Sequence, residues 1–267
     1  MEGLDRLTIF IAILVVMITW EIIAPRRQIS ISRWQRWSAN FTLSILSMLL
    51  MRITIATAAV WAANKGLENN WGLLHLIELP TILSFAVSIV LLDLAIYGQH
   101  RASHRWSWLW RFHKVHHTDL DFDVTTAIRF HPIEIFISMC YKVLCILIIG
   151  VDPVAVIAFE IILSSCALFN HSNIKIPLVI DNVIRFLLVT PDMHRVHHSV
   201  IQSERDSNYG FSISIWDRLF KSYMAQPKQG HKEMTIGLPQ YRHVDDVSIQ
   251  KLLLMPIIPV SNDITDL

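Results

Sequence analysis

Five apolar segments, each near the length a helix needs to cross a bilayer, constrain this chain more than any other feature. A hydrocarbon core of about 30 Å takes ~20 apolar residues in a helix. The segments run from Leu7 to Ala24, from Phe41 to Ala63 with Arg52 interrupting it, and from Leu73 to Tyr97 with Pro80 as an expected kink. Two shorter ones follow, Ile133 to Val151 and Pro153 to Asn170, joined by Gly150-Val151-Asp152-Pro153, a turn that makes them an antiparallel hairpin. Hydrophobic residues make up 53% of the sequence and charged ones only 17%, so a soluble domain is excluded. The sequence predicts an all-α, polytopic membrane protein with about four to five membrane-embedded helices. Trp20-Glu21-Ile22-Ile23 offers no small-x-small cleavage site, and the first segment is read as an anchor.

Lysine and arginine set the expected orientation, because short loops rich in them stay in the cytoplasm. The loop after the first span carries Arg26, Arg27, Arg33 and Arg36 and no acid, whereas the next loop has Lys65 against Glu68 and Glu78. Counting spans returns the chain to the cytoplasm after the third, where Arg101, Arg105, Arg111, Lys114 and Arg129 lie. The hairpin leaves that side near His131 and comes back near His171. One membrane domain over 1–267 is expected, with anchor spans in 1–97 and a helical, histidine-rich cytoplasmic cap in 98–132 and 171–223. The hairpin in 133–170 and a C-terminal tail in 224–267 complete it. The stretch from Leu252 to Val260 is too short to span and is expected to lie on the membrane or the cap.

Eight of the 13 histidines fall in three clusters: His100-x3-His104, His113-x2-His116-His117 and His194-x2-His197-His198. Residues three and four apart share a helix face, so each cluster presents its imidazoles together. His131 and His171, at the feet of the hairpin, are either further donors or polar residues at helix ends. The counted spans put all ten on one side of the membrane. Neutral imidazole is a good ligand for iron, copper or zinc. Ten donors exceed the needs of one four- to six-coordinate ion, which favours two metals. His75, His231 and His243 stand alone and read as structural or solvated.

Asp93 and Tyr97 continue the stripe of His100 and His104, and with Glu134 and Asp206 they are candidates to orient ligating rings. Asp93 is favoured, because an acid inside an apolar run normally has a partner or a function. Helix capping or solvation is the other reading for all four. Trp106, Trp108 and Trp110 read as an interfacial belt, or else as lining of a substrate channel. Cys140, Cys145 and Cys166 sit in apolar stretches without a C-x2-C pair and read as core residues. The net charge of +1, with no basic run, argues against a nucleic-acid partner.

With the clusters, Asn208-Tyr209-Gly210 and Trp216-Asp217-Arg218-Leu219-Phe220, the stretch from Asp93 to Tyr223 resembles the fatty acid hydroxylase superfamily, which includes sterol desaturases. The resemblance implies a membrane monooxygenase with two iron ions in a di-iron centre, using O2 and two electrons to hydroxylate or desaturate a lipid C–H bond. It also implies that His100, His104, His113, His116, His117, His194, His197 and His198 are iron ligands, with His131 and His171 as additional ones. The chain departs from the usual Leu-Phe-Gly-Thr-Tyr continuation in reading Leu219-Phe220-Lys221-Ser222-Tyr223, and it has Ala167 where fatty acid 2-hydroxylases carry a further histidine.

No haem motif or iron–sulfur cysteine set is present, so electrons are expected from a separate donor protein, cytochrome b5-like or ferredoxin-like. The substrate is expected to be a lipid entering sideways from the bilayer, fatty acyl, sterol or related. Hydroxylation is favoured over desaturation. Among other classes, a membrane zinc hydrolase lacks its H-E-x-x-H motif. A metal transporter or metal-binding protein would place ligands in broken helices at mid-membrane. A ferritin-type carboxylate centre would need Glu-x-x-His, which the sequence lacks.

Overall fold

The structure is a computed structural model that describes residues 2–258, with side chains from Arg6 onward. Among the described residues it is helical, with three isolated bridges and no sheet. Five stretches are long and apolar enough to cross a membrane. They involve α1 (Glu2–Ile23), α2 (Arg33–Thr54) with α3 (Ala58–Asn69), α4 (Thr81–Arg105), α6 (Pro132–Ile149) and α7 (Pro153–Asn170), with α5 (Ser107–His117) following α4. Short helices complete the chain: α8 (Leu178–Ile184), α9 (Pro191–His197), α10 (Gln202–Arg205), α11 (Ile215–Leu219), α12 (Gly230–Glu233) and α13 (Ile249–Leu254).

The second and third spans differ from expectation. Arg52 does not interrupt the second; it lies exposed in the last turn of α2, where a cation meets the negative end of the helix. The chain then turns through Ile55–Thr57, and α3 packs across the hairpin at its turn. Ala59, Ala62 and Ala63 meet Ile146, Val151, Ala155 and Val156 there, the small side chains allowing close approach. The third span begins at Thr81 rather than Leu73, because Pro80 stands before the helix instead of kinking it. Residues 73–76 form a separate 3-10 turn.

The hairpin is built as expected. Pro132 and Pro153 each occupy a first helical turn, and Asp152 caps α7 by accepting from the Val154 N–H at 2.7 Å. Gly150 ends α6 at φ +79, and a Cβ on facing Gly72 would sit 2.2 Å from the Gly150 nitrogen, so neither position admits a side chain.

At the opposite end of the bundle the core is polar. Arg36 on α2 is fully buried; its guanidinium reaches Asp119 at 2.7 Å and Asp123 at 2.6 Å. Asn40 links this group to Arg129, whose Nη1 donates to the Asn40 side-chain oxygen at 2.8 Å. Arg129 Nε in turn donates to the Val115 carbonyl at 2.9 Å. Glu21 at the end of α1 accepts from the backbone N–H of Val124 and of Asn173. Residues 118–129 are thereby tied to α1, α2 and the exit of α7. Leu252 and Met255 of the C-terminal stretch pack on Ala39, Leu43 and Val115, against the cap as expected; Pro259 and Val260 lie outside the described residues.

Candidate metal centre

Nine of the ten candidate histidines meet at the polar end of the bundle. His100 and His104 end α4, His113, His116 and His117 end α5, His171 follows α7, and His194, His197 and His198 come from α9 and its C-cap. Thr190 starts that last helix by accepting from the Met193 N–H, with Pro191 in the first turn. The nine rings sort into two adjoining groups. One holds His100, His104, His113, His117 and His197, the other His116, His171, His194 and His198. Within each group the nearest ring nitrogens all lie within 4.8 Å of one another. His117 and His198 stack across the boundary at 4.6 Å.

His131 is not gathered with them. It caps α6, its Nδ1 accepting from the Ile133 N–H, and its Nε2 donates to the Leu253 carbonyl at 3.2 Å. Of the unclustered histidines, His231 is buried beside Asp192 at 3.6 Å, away from the nine.

Hydrogen bonds fix how the rings face. Nδ1 of His100 meets the Tyr209 carbonyl at 2.8 Å, that of His171 the Ala167 carbonyl at 2.8 Å, that of His197 the Ser207 carbonyl at 2.7 Å and that of His116 the Arg129 carbonyl at 3.3 Å. A carbonyl only accepts, so each Nδ1 must carry the hydrogen, and each Nε2 is left as a lone pair. Glu134 accepts from His113 Nδ1 at 2.6 Å.

This pattern tests whether a cation fits. His116 Nε2 and His171 Nε2 stand 3.1 Å apart, and both are lone pairs, so no hydrogen is available to join them. Protonating a ring instead is opposed by burial and by the neighbouring imidazoles. Those two causes hold His116, His117, His194, His197 and His198 far below the usual histidine range, and burial foremost holds His171 at about 4. His104 Nε2, His197 Nε2 and His198 Nε2 are buried with no hydrogen-bond partner. Unpartnered buried polar atoms are costly, and converging lone pairs on neutral rings are what a nitrogen-preferring transition metal takes.

The other candidates divide. Glu134 and Asp206 lie against rings, Asp206 being 3.6 Å from His104 Nδ1. Asp93 and Tyr97 instead grip the 209–223 segment. Asp93 accepts from the Trp216 indole at 2.8 Å and the Ile213 N–H at 3.2 Å, and the Tyr97 hydroxyl meets Ser222 Oγ at 2.8 Å. Asp217 accepts from the N–H of Tyr209 and of Gly210 at 2.8 and 2.7 Å, which aims the Tyr209 carbonyl at His100. A Cβ on Gly210 would lie 2.7 Å from Asp217 Oδ2, so the close approach needs glycine. Trp106 and Trp108 are exposed as a belt requires, whereas the Trp110 ring covers His104 at 5.1 Å.

Two cavities share part of their wall, and the first of them adjoins the histidines. The first, about 160 Å³, is lined by His100, His113, His116 and His194, by the polar side chains of Gln99, Ser103, Glu134 and Ser138, and by apolar side chains. The second, about 470 Å³, lies between α1, α2, α6 and α7. Phe130, Ile135, Leu163 and Phe211 line both. Met48 lines the second cavity and is 59% exposed, so that cavity opens sideways onto the lipid-facing surface.

The fatty acid hydroxylase family profile matches residues 85–222, more than half of the chain and the stretch that holds every candidate histidine. An ornithine lipid hydroxylase (OlsE) of Rhizobium tropici is 25% identical over 157 residues, 59% of this chain and 46% of its own length. Alkylglycerol monooxygenases of Xenopus tropicalis and Danio rerio are each 30% identical, over 60% and 68% of this chain and 35% and 38% of their own lengths. The chain thus spans less than half the length of these relatives. No solved structure gives a significant match. The profile match over these histidines shows that the chain belongs to the fatty acid hydroxylase family.

Proposed function

We propose that this protein is an O2-dependent non-haem di-iron monooxygenase that hydroxylates a C–H bond of a membrane lipid. The observation that carries the reading is the pair of imidazole groups with lone pairs directed inward and no hydrogen between His116 and His171. The nine gathered histidines, without His131, are the residues that would hold the two ions. Bound iron supplies the oxidant that an unactivated C–H bond requires. The reaction balances as R–H, O2, two electrons and two protons giving R–OH and water. The electrons come from a separate donor protein, cytochrome b5-like or ferredoxin-like.

The chain's residues supply orientation and dryness. Carbonyls of Tyr209, Ser207, Arg129 and Ala167 and the Glu134 carboxylate each hold one ring's Nδ1–H, which keeps the inward nitrogen a donor. Ile96, Leu163, Phe130 and Phe211 form the apolar part of the wall of the 160 Å³ cavity, limit water there and leave room for an apolar carbon beside His100 and His194. The arginine-rich loops support a cytoplasmic position for this end. Relatives named as hydroxylases and monooxygenases favour oxygen insertion over desaturation.

The test is purification in detergent with metal analysis, and lipid mass spectrometry of cells with and without the gene. A lipid heavier by one oxygen atom is expected; one lighter by two hydrogens would instead mean desaturation. His117→Ala and His197→Ala should lose iron and turnover, whereas His131→Ala and His231→Ala should keep bound iron. Full iron and activity in the His197 variant would overturn the assignment.

A further inference from the structure

The second cavity carries a charged group that the proposed centre does not use. Lys142 on α6 and Glu160 on α7 line it, with Nζ 2.6 Å from Glu160 Oε1, and Arg6 on α1 pairs with the other Glu160 oxygen. Two cations share one carboxylate, which leaves one positive charge in surplus. The Lys142 and Glu160 side chains are only 11% and 17% exposed, and Arg6 Nε is buried with no partner. Each of Lys142 and Glu160 lies seven residues from the hairpin turn, about 10 Å inside its span. Ionisable groups at such depth are rare and normally functional.

Helical spacing connects this group to the histidines. On α6 the stripe Ile135, Ser138, Lys142 borders the cavities, and on α7 so does Glu160, Leu163, Ala167. From Lys142 to Glu134 is eight residues, and from Glu160 to His171 eleven, distances of about 12 and 16 Å along the helix axes.

We infer that Arg6, Lys142 and Glu160 form the polar anchor of the lipid substrate, taking the carboxyl or ester oxygens of an acyl group. An ammonium has three donors, and Glu160 occupies one. The spare donors and surplus charge, surrounded by Met48, Met51 and Leu163, match an oxygen acceptor on an apolar chain. With C–C bonds of about 1.5 Å, an extended acyl chain anchored there would present a carbon roughly ten positions away to the histidines. This inference deepens the hydroxylase reading and rests on it.

The alternative is an ion pair that merely braces α1, α6 and α7. The test uses the iron-loaded protein in nanodiscs and a fluorescent polyene fatty acid, its methyl ester and the matching polyene hydrocarbon as probes. Lys142→Met should weaken the acid by roughly tenfold or more, the scale of a lost charge-assisted hydrogen bond, and leave the hydrocarbon unchanged. An ester weakened equally identifies the acyl oxygen in general as the ligand, and an ester unaffected identifies the free carboxylate. The triple variant Arg6→Met/Lys142→Met/Glu160→Met removes all three charges of the brace, and acid binding should stay weak. Recovery in the triple variant, equal weakening of the hydrocarbon, or unchanged acid binding would each overturn the anchor. Metal analysis of the same preparations reads the di-iron proposal separately.

Discussion

His113 shows how one side chain is prepared for ligation: α5 places it, and Glu134, from the next long helix, holds its Nδ1–H at 2.6 Å. Partners of this kind typically carry a 10–100-fold effect on metal affinity or activity, so Glu134→Ala should lower one of these by roughly that factor. Glu134→Gln, which keeps an oxygen acceptor, should retain most of it; iron titration of both variants is the check. The histidines themselves were legible, because spacings of three and four put rings on one helix face whatever the tertiary structure. Their orienting partners were less so. Asp93, favoured for its apolar surroundings, gives one oxygen to the Trp216 indole and the Ile213 N–H rather than to a ring, and its other oxygen is buried without a hydrogen-bond partner. Four rings are held by backbone carbonyls, and a carbonyl belongs to every residue type, so the sequence carries no mark of it. His131 reads like a ligand in His-Pro-x-Glu, yet its place just before Pro132 makes it a helix cap.

At the scale of elements, α2 does more than cross the membrane. Arg36, near its start, is the cation that bonds both Asp119 and Asp123 inside a buried network that Asn40 links to Arg129, so Arg36→Ala takes the bonded cation away from two buried carboxylates. A loss of about 3–5 kcal/mol is expected from such a deletion, read as a lowered melting temperature in detergent, with exposed Arg33→Ala close to unchanged. The spans and the hairpin were readable from hydropathy, prolines and Gly150. The break at Ile55–Thr57 was not, because the apolar composition runs on through it and only packing of α3 over the hairpin turn selects the bend. Asp119, Asp121 and Asp123 carry no mark of burial in the sequence, and only the fold shows all three buried, Asp119 and Asp123 bonded to Arg36 and Asp121 accepting from the Ser30 N–H.

The whole molecule brings distant stretches, from His100 to His198, to one end of a five-span bundle, while a larger apolar cavity leads away from them toward the flank of the bundle. The sideways mouth beside Met48 has a kinetic consequence. A substrate that arrives through it is drawn from a two-dimensional solution, and the concentration that governs capture is its mole fraction among the surrounding phospholipids. Adding inert phospholipid to vesicles at fixed total substrate should therefore slow the proposed reaction. Adding more vesicles of unchanged composition should leave the rate per enzyme as it was, and saturation curves should collapse onto one only when plotted against surface composition.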